Sequence, residues 1–280
     1  MLRIGRISYA NCSPIFHELQ NQASSEDYQF IGGVPSYLNA MLAAGEIDVC
    51  PSSSIQYALH PEQYLILPDL SISSVGKVAS VLLFSRIPIE KLDGQSVLLS
   101  SESATSVNLL RILIKKRFGC SCSFNVSEQP LENALREAPA MLLIGDAALR
   151  ASFLKTDLRV YDLGELWHEW TGLPFVFALW FCTRRAALER TLEVTHLACQ
   201  LVLAKDRACT DLERIAQSSS EAAWMGRECL ITYWRDNISY DLEEEHLEGL
   251  RLFYRYCVEL GLLPAEPGLH FLATSAEEKG

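Results

Sequence analysis

Apolar and polar positions in the first two-thirds of the chain follow two alternating patterns. Short runs rich in Val, Ile, Leu and Phe are typical of buried strands, and the stretches between them have the spacing of amphipathic helices. Alternating strands and helices predict an α/β fold with largely parallel sheets. The predicted strands are LRIGRIS, DYQFIGG, EIDVCP, YLILPDLSI, VASVLLFS, SVLLSS, SFNVSE, AMLLIGD, RVYDLG and FVFALWFCTR.

Helix ends carry their own signals. Pro35 predicts the start of a helix that Gly45 ends, and a helix over about 105–117 precedes Gly119. Beyond about residue 185 the strand patterns stop and helical periodicity takes over. The last third of the chain is therefore predicted to form a helical layer.

The length of 280 residues, 49% of them hydrophobic, favours two compact units. No long linker, internal repeat or low-complexity tract separates them. Two lobes without a linker are expected to be joined by strands that pass between them. The strongest candidates for these strands are VASVLLFS at 78–85 and FVFALWFCTR at 175–184.

The chain carries 35 acidic against 24 basic residues, a net charge of -11. This charge repels phosphate backbones and anionic lipids, so we expect neither nucleic acid nor a membrane as partner. Although SYANC ending at Cys12 is similar to a lipoprotein cleavage box, Arg3 and Arg6 interrupt the apolar stretch that a signal peptide needs. The apolar run 173–181 is shorter than the roughly 20 residues of a membrane span. We expect a cytoplasmic protein.

Residues with metal or nucleophile chemistry form no recognised motif. The nine cysteines are odd in number and lack CxxC spacing, and the close pair Cys120 and Cys122 has no second pair or nearby His, so no metal site is predicted. His17, His60 and His168 are assigned no catalytic role. There is no GxSxG elbow, Walker loop or dinucleotide fingerprint.

Four loops rich in Ser, Thr, Asn and Gly follow predicted strands, at 8–14, 51–58, 101–107 and 144–149. Open α/β sheets bind ligands at this edge, and free N–H groups at helix starts suit carboxylates. For any one loop the alternative is simple helix capping, and Asp146 is interpreted first as an N-cap. Four such loops together favour a binding site.

Motifs along nearly the entire chain resemble the chorismate dehydratase family of the futalosine route to menaquinone. The most specific are RISYANC at 6–12 and WHEWTGLPFVFALW at 167–180. GGVPSYLNAMLAAGEIDVCPSSSIQYA, SATSVNLLRILI, LLIGDAAL and EHLEGLRLFYRYCVELGLL match in the same order. Ala10, where the family usually has leucine, and Ala79, where it usually has glycine, are small departures that leave the polar pattern intact.

The resemblance implies a two-lobed fold like the type II periplasmic binding proteins, with two hinge strands and a ligand cleft between the lobes. Lobe one would comprise 1–84 and 179–280, and lobe two 85–178. It also implies the reaction, loss of water from chorismate to give 3-[(1-carboxyvinyl)oxy]benzoate, a hydro-lyase reaction without metal or organic cofactor. Chorismate is the expected small-molecule partner, and the oligomeric state, monomer or homodimer, is left open.

Within this resemblance, Asn11 and Ser80 are the expected catalytic residues and would orient the departing hydroxyl group. For Ser80, a strand hydroxyl bonded to neighbouring backbone is an equal alternative. The substrate's own enolpyruvyl carboxylate would take the ring proton, because the loops hold no Asp, Glu or His apart from Asp146 and Glu102. The expected substrate-binding residues are Ser8, Tyr9, Pro35, Ser53, Ser54, Ser103, Thr105, Ser106, Gly145, Asp146, Thr171, Gly172 and Phe175.

Residues 171–175 are expected to form the return hinge and an apolar wall against the ring, whereas Trp170 and Trp180 are at least as well explained as core. Two other functions are kept open. A cytosolic binding or sensor protein would capture a carboxylate unaltered. The missing export signal and the family motifs argue against it, while the missing side-chain acid or base keeps it open. The sibling 1,4-dihydroxy-6-naphthoate synthase has a similar fold, but RISYANC favours the dehydratase.

Overall fold

Ten strands form two five-stranded sheets in the computed structural model, which describes residues 1–22, 27–100 and 104–273. The first sheet has the order β2-β1-β3-β10-β4 and the second the order β7-β6-β8-β5-β9. All ten strands coincide with runs predicted from the sequence. The strands are β1 Leu2–Ile7, β2 Tyr28–Gly33, β3 Val49–Ser53, β4 Tyr64–Ser74, β5 Val81–Ser85, β6 Ser96–Leu99, β7 Ser123–Val126, β8 Ala140–Ile144, β9 Arg159–Asp162 and β10 Phe175–Thr183.

Helices alternate with the strands and then continue alone after β10. Within the described residues no strand follows β10, which confirms the predicted C-terminal helical layer. Turns of π-helix extend two elements, at Leu113–Arg117 and Tyr233–Asn237. The helices are α1 Ser13–Gln22, α2 Pro35–Ala43, α3 Ser54–Leu59, α4 Ala104–Ile112, α5 Leu131–Glu137, α6 Gly145–Ser152, α7 Leu163–Thr171, α8 Arg184–Glu189, α9 Thr191–Thr210, α10 Leu212–Ser218, α11 Ala222–Met225, α12 Arg227–Thr232 and α13 Glu244–Glu259.

Each sheet contains one strand that runs against the others. In the first sheet β10 is antiparallel to β3 and β4, and in the second β5 is antiparallel to β8 and β9. The chain enters β5 and β10 directly after it has passed over from the other sheet. Each of these strands therefore starts beside the C-terminal ends of its neighbouring strands. Val81 accordingly pairs with Ile144, the last residue of β8, and Phe175 with Ser74, the last residue of β4. The sheets are therefore parallel apart from the strand that follows each crossing.

The chain crosses between the sheets before β5 and before β10, and not within these two strands as the sequence suggested. β5 pairs only within the second sheet and all of β10 only within the first, so the chain crosses at 75–80 and again through α7 and 172–174. A division at 84/85 and 178/179 would split both strands from their sheets. We therefore propose that lobe one comprises 1–77 and 173–280 and lobe two 78–172.

Asp162 ties the two crossings together. Its carboxylate accepts hydrogen bonds from the backbone N–H groups of Val78 at 3.1 Å and Ala79 at 2.6 Å, and it also caps α7 through the Glu165 N–H. Burial raises the pKa of Asp162, although these three bonds favour the ionised form. Ala79 has φ = 59°, a left-handed conformation in which glycine is unstrained, and this explains why glycine suits the position.

The C-terminal layer packs on the first sheet. Trp180 and Phe181 of β10 are fully buried there, and Phe175 contacts Phe253 of α13 with ring centroids 5.1 Å apart. A smaller apolar cluster lies under α5 and α6 in the second lobe. Across the described ranges, no helix is long and apolar enough to cross a membrane.

Candidate active site

A cavity lies between the two sheets, where strands of both lobes end or begin. The space inside it that a water-sized molecule can occupy is about 50 Å³, which is below the usual size range of small-molecule sites. Seven of the residues that the sequence suggested for the site line it: Tyr9, Asn11, Pro35, Ser53, Ser80, Ser106 and Gly145. The other lining residues are Ile7, Cys12, Ile72, Val78, Val81, Ile144, Phe177 and Ala178.

Five helices start at the cavity wall. Cys12 precedes α1, Pro35 begins α2, Ser53 precedes α3, Ser106 lies in the first turn of α4, and Gly145 begins α6. The first turn of a helix has free N–H groups and the positive end of the helix dipole. The cavity is therefore suited to anions even though none of its described lining residues is Arg or Lys.

Asn11 presents an unsatisfied polar group. Its Oδ1 is buried and has no hydrogen-bond partner among the described residues, while the residue lines the cavity. A buried acceptor without a partner costs about 1–3 kcal/mol, so this oxygen is best explained as a binding group for a donor on a ligand. The described lining contains no Asp, Glu or His that could act as a base.

The loop that carries Asn11 is held from three directions. The Ala10 carbonyl accepts from Trp234 Nε1 at 2.7 Å, and the Asn11 carbonyl accepts from the Tyr240 hydroxyl at 2.8 Å. From the other lobe, Asp146 Oδ1 accepts from the Ala10 N–H at 3.0 Å. The backbone position of Asn11 is therefore fixed by both lobes.

This contact corrects the interpretation of Asp146 as a helix cap. Asp146 is the second residue of α6, and Ile144 occupies the cap position without a side-chain hydrogen bond. Gly145 begins α6 with φ = 61°, and the carboxylate of the next residue reaches Ala10 of the first lobe. Asp146 is not among the cavity-lining residues and instead joins the two lobes through Ala10.

Ser80 faces the cavity from the start of β5. Its backbone carbonyl accepts from the Gly145 N–H at 2.7 Å, and its hydroxyl is 3.4 Å from the Val78 carbonyl. Burial raises the pKa of Tyr233 well above its ordinary value, and it raises the pKa of the Cys12 thiol in the same way. Both groups are therefore neutral at physiological pH.

Ser54 and Thr105 lie behind the wall rather than in it. Their hydroxyl oxygens are 3.3 Å apart, Ser54 also donates to the Val176 carbonyl, and Thr105 Oγ1 accepts from the Ile55 N–H. These bonds join α3 of the first lobe to α4 of the second, so both residues hold the lobes together instead of facing the cavity. Ser8 is exposed just after β1, outside the lining, and Ser103 lies outside the described residues.

The residues at 171–175, where the chain returns to the first sheet, do not form the apolar cavity wall that was expected from the sequence. The Thr171 hydroxyl donates to the Trp167 carbonyl in the last turn of α7, and Gly172 ends that helix with φ = 74°. Phe175 packs into the core against Trp167. Phe177 lines the cavity instead, because the β10–β4 pairing skips a residue between Val176 and Ala178 and a bulge of this kind redirects a side chain.

Most of the missed lining residues are apolar strand residues, which in sequence cannot be distinguished from ordinary core. The signal that could have found them is their position in the chain, because Ile7 and Ile144 are the last residues of strands that lead into the polar loops. The bulge at Phe177 has no such signal. The contribution of the C-terminal layer through Trp234 and Tyr240 also depends on contacts between residues more than 200 positions apart in the chain.

A family model described as menaquinone biosynthesis matches residues 2–259. The chain belongs to this menaquinone-biosynthesis family. The chorismate dehydratase of Thermus thermophilus is 33% identical to this chain over 89% of this chain and 93% of that protein. The chorismate dehydratase of Campylobacter jejuni is 31% identical over 67% of this chain and 70% of that protein.

Solved structures confirm the fold predicted for this member of the menaquinone-biosynthesis family. A protein of Archaeoglobus fulgidus has a TM-score of 0.72 at 18% identity, covering 94% of this chain and 98% of that chain. The alkanesulfonate-binding protein of Xanthomonas axonopodis bound to MOPS has a TM-score of 0.71 at 15% identity, covering 96% of each chain. At these identities the likeness shows the two-lobed periplasmic-binding-protein fold alone.

Proposed function

We propose that the protein is a hydro-lyase that removes water from chorismate and forms 3-[(1-carboxyvinyl)oxy]benzoate, in the cytoplasm. The family membership and the two named dehydratase relatives support this reaction. The observation that carries it is the cavity itself, in which an unpartnered Asn11 amide oxygen and the Ser80 hydroxyl line one space with five helix starts. This set of groups fits a dianion that also bears a hydroxyl.

The two carboxylates of chorismate would bind at the helix starts. Hydroxyls of Ser53 and Ser106 and the first N–H groups of α3, α4 and α6 supply donors there. Hydrogen bonds to a charged group contribute about 1.5–3 kcal/mol each, so a few per carboxylate hold a dianion without an arginine. The apolar surfaces of Ile72 and Phe177 would contact the ring.

The proton on the ether-bearing ring carbon would be taken by the substrate's own enolpyruvyl carboxylate. The described cavity lining holds no ionisable carboxylate or imidazole, and Asp146 is engaged by the Ala10 N–H. Asn11 Oδ1 would accept from the departing hydroxyl group and hold it in line, while Ser80 would donate to the same oxygen as the C–O bond breaks. The ring gains aromatic character, and this favours the elimination.

Incubating the purified protein with chorismate and analysing the products by mass spectrometry tests the proposal. We expect a benzoate ether lighter than chorismate by one water, formed in proportion to enzyme concentration. The Asn11→Ala variant prepared in parallel controls for contaminating activity. Chorismate recovered intact from a wild-type protein that binds it would contradict the proposal and would instead identify a binding protein.

A further inference from the structure

The backbone just before β5 forms a tight turn that ends at Ser80. The Ser80 N–H donates to the Val78 carbonyl at 2.8 Å, and the residue between them, Ala79, has φ = 59°. A hydrogen bond across one residue of positive φ makes this a γ-turn of the rarer, strained form. Strained backbone persists only where the surrounding structure holds it, and it is found mostly at functional sites. The turn at 78–80 therefore needs a group that holds it.

The Asp162 carboxylate supplies that support. Its Oδ1 accepts from the Val78 N–H at 3.1 Å, and its Oδ2 accepts from the Ala79 N–H at 2.6 Å. The side chain is 5% exposed, and hydrogen bonds to a carboxylate are about twice as strong as those between neutral groups. The two oxygens differ in their tasks, because Oδ1 also caps α7 through the Glu165 N–H whereas Oδ2 is directed at the turn.

The turn determines where the Ser80 side chain lies. Ser80 lines the cavity, and its carbonyl accepts from the Gly145 N–H at 2.7 Å. If Ala79 relaxed to a negative φ, the peptide plane before Ser80 would rotate and move the hydroxyl out of its place in the cavity wall. Asp162 is not itself among the residues that line the cavity, so its effect on a ligand passes through this turn.

We propose that Asp162 is a positioning residue for the dehydration, whose carboxylate holds the strained turn at 78–80 and so keeps the Ser80 hydroxyl directed at the departing oxygen of the substrate. This inference rests on the proposed function. The substrate carboxylates are bound at helix starts elsewhere in the cavity. Loss of the bond from Oδ2 should consequently slow the breaking of the C–O bond and leave substrate binding nearly unchanged.

The first variant is Asp162→Asn. Asparagine caps a helix as well as aspartate does, but its amide nitrogen cannot accept from the Ala79 N–H in place of Oδ2. We expect kcat for chorismate to fall about 10-fold and KM to change by less than about twofold. In the Ser80→Ala background the same substitution should have no further effect, because the group through which Asp162 acts is gone.

Rescue by glycine separates positioning from a general loss of stability. Glycine adopts a positive φ without strain, so Ala79→Gly should return the kcat of Asp162→Asn to within about threefold of wild type. The matched control is Asp69→Gly, since Asp69 in β4 has almost the same φ, 60°, away from the turn. Asp69→Gly should leave the kcat of Asp162→Asn at its reduced value.

Ala79→Val tests the turn with Asp162 in place. A β-branched residue tolerates a positive φ poorly, so this variant should also lose kcat about 10-fold and keep its KM. This second route applies equally if Asp162→Asn does not fold.

A wild-type kcat in Asp162→Asn or Ala79→Val, or equal fold-losses with and without the Ser80 hydroxyl, would overturn the inference and leave the proposed function standing. A loss that neither glycine restores, or that both restore equally, would do the same. A wild-type protein that does not dehydrate chorismate would overturn both.

Discussion

A buried polar group without a partner is unfavourable in the free protein and becomes favourable when a bound ligand supplies its hydrogen bond. The Asn11 amide oxygen is buried without a partner, which is unfavourable until a ligand supplies a donor. A group of this kind contributes little to folding and much to recognition, since its hydrogen bond is completed only on binding. Asn11 is therefore expected to show a catalytic effect without a matching stability effect.

Asn11→Ala should lower kcat for chorismate by roughly 100-fold, because an oriented polar group that acts on the departing hydroxyl is lost. KM should change far less, since the carboxylates are held elsewhere, and the unfolding temperature should be unchanged or higher. Steady-state kinetics and thermal denaturation measure these quantities. Asn125→Ala is the control, as it removes an exposed amide whose hydrogen-bond partner, among the residues that the structure describes, is Ser96. Equal turnover in both variants would remove Asn11 from the mechanism.

A second residue-scale prediction concerns pH and stability. Asp48 is 3% exposed and accepts from Arg3 Nη2 at 2.6 Å and from the Arg3 backbone N–H at 2.9 Å. Burial alone would raise the pKa of Asp48, but the hydrogen bonds and charge of Arg3, with Arg190 nearby, hold it below its ordinary value. A lowered pKa in the folded state means stability that is present at neutral pH and is lost as the pH falls below about 4.

Asp48→Asn should therefore lower the free energy of unfolding by roughly 2 kcal/mol at pH 7, since it leaves Arg3 without its partner. The difference from wild type should shrink only as the pH falls below about 4, through the lowered pKa at which wild-type Asp48 also loses its charge. Urea denaturation at a series of pH values measures it. Asp236→Asn serves as control, because that pair with Arg235 is exposed. A pH-independent difference would contradict the assignment.

At the scale of elements, the sequence predicts what depends on local pattern. All ten strands and the helix from Pro35 are predicted because burial alternation, proline and glycine act within a few residues. What was missed depends on contacts between distant elements. Asp146 has the local signature of a cap, yet it bonds Ala10, and the crossing before β5 is decided by strand pairing that no short window contains.

The start of α6 provides an element-scale prediction. Gly145 has φ = 61°, and a Cβ there would lie 3.1 Å from the Tyr9 ring across the cleft. Gly145→Ala should lower the free energy of unfolding by about 1–2 kcal/mol and raise KM, since the ring and the helix start both line the cavity. Gly119→Ala is the matched control, because Gly119 has φ = 68° in open space and its substitution adds strain without crowding. An unchanged KM in Gly145→Ala would contradict this geometry.

For the whole molecule, several contacts besides the crossings hold the lobes together, and three of them lie on the side of the cavity or of α6. Ala10 bonds Asp146, α3 bonds α4 through Ser54, and the Arg150 guanidinium lies 3.9 Å from the ring centre of Trp224. Each connection joins residues more than 45 positions apart, so none follows from local sequence pattern. The first two also position groups around the cavity, whereas Arg150 of α6 and Trp224 of α11 form a contact that can be removed without altering a polar group of the site.

The Arg150–Trp224 contact should favour the closed arrangement. A partly exposed cation–π pair contributes about 0.5–1 kcal/mol, so its loss shifts an open–closed equilibrium by about 2- to 5-fold. Trp224→Ala and Arg150→Gln should therefore each raise KM about threefold, leave kcat unchanged and increase the radius of gyration of the ligand-free protein in small-angle scattering. The double variant should be no worse than either single one, because both remove the same contact. Arg235→Gln, which removes an exposed arginine bonded to its neighbour, should behave as wild type. Additive effects, or a lower kcat with unchanged KM, would show that this contact does not control closure.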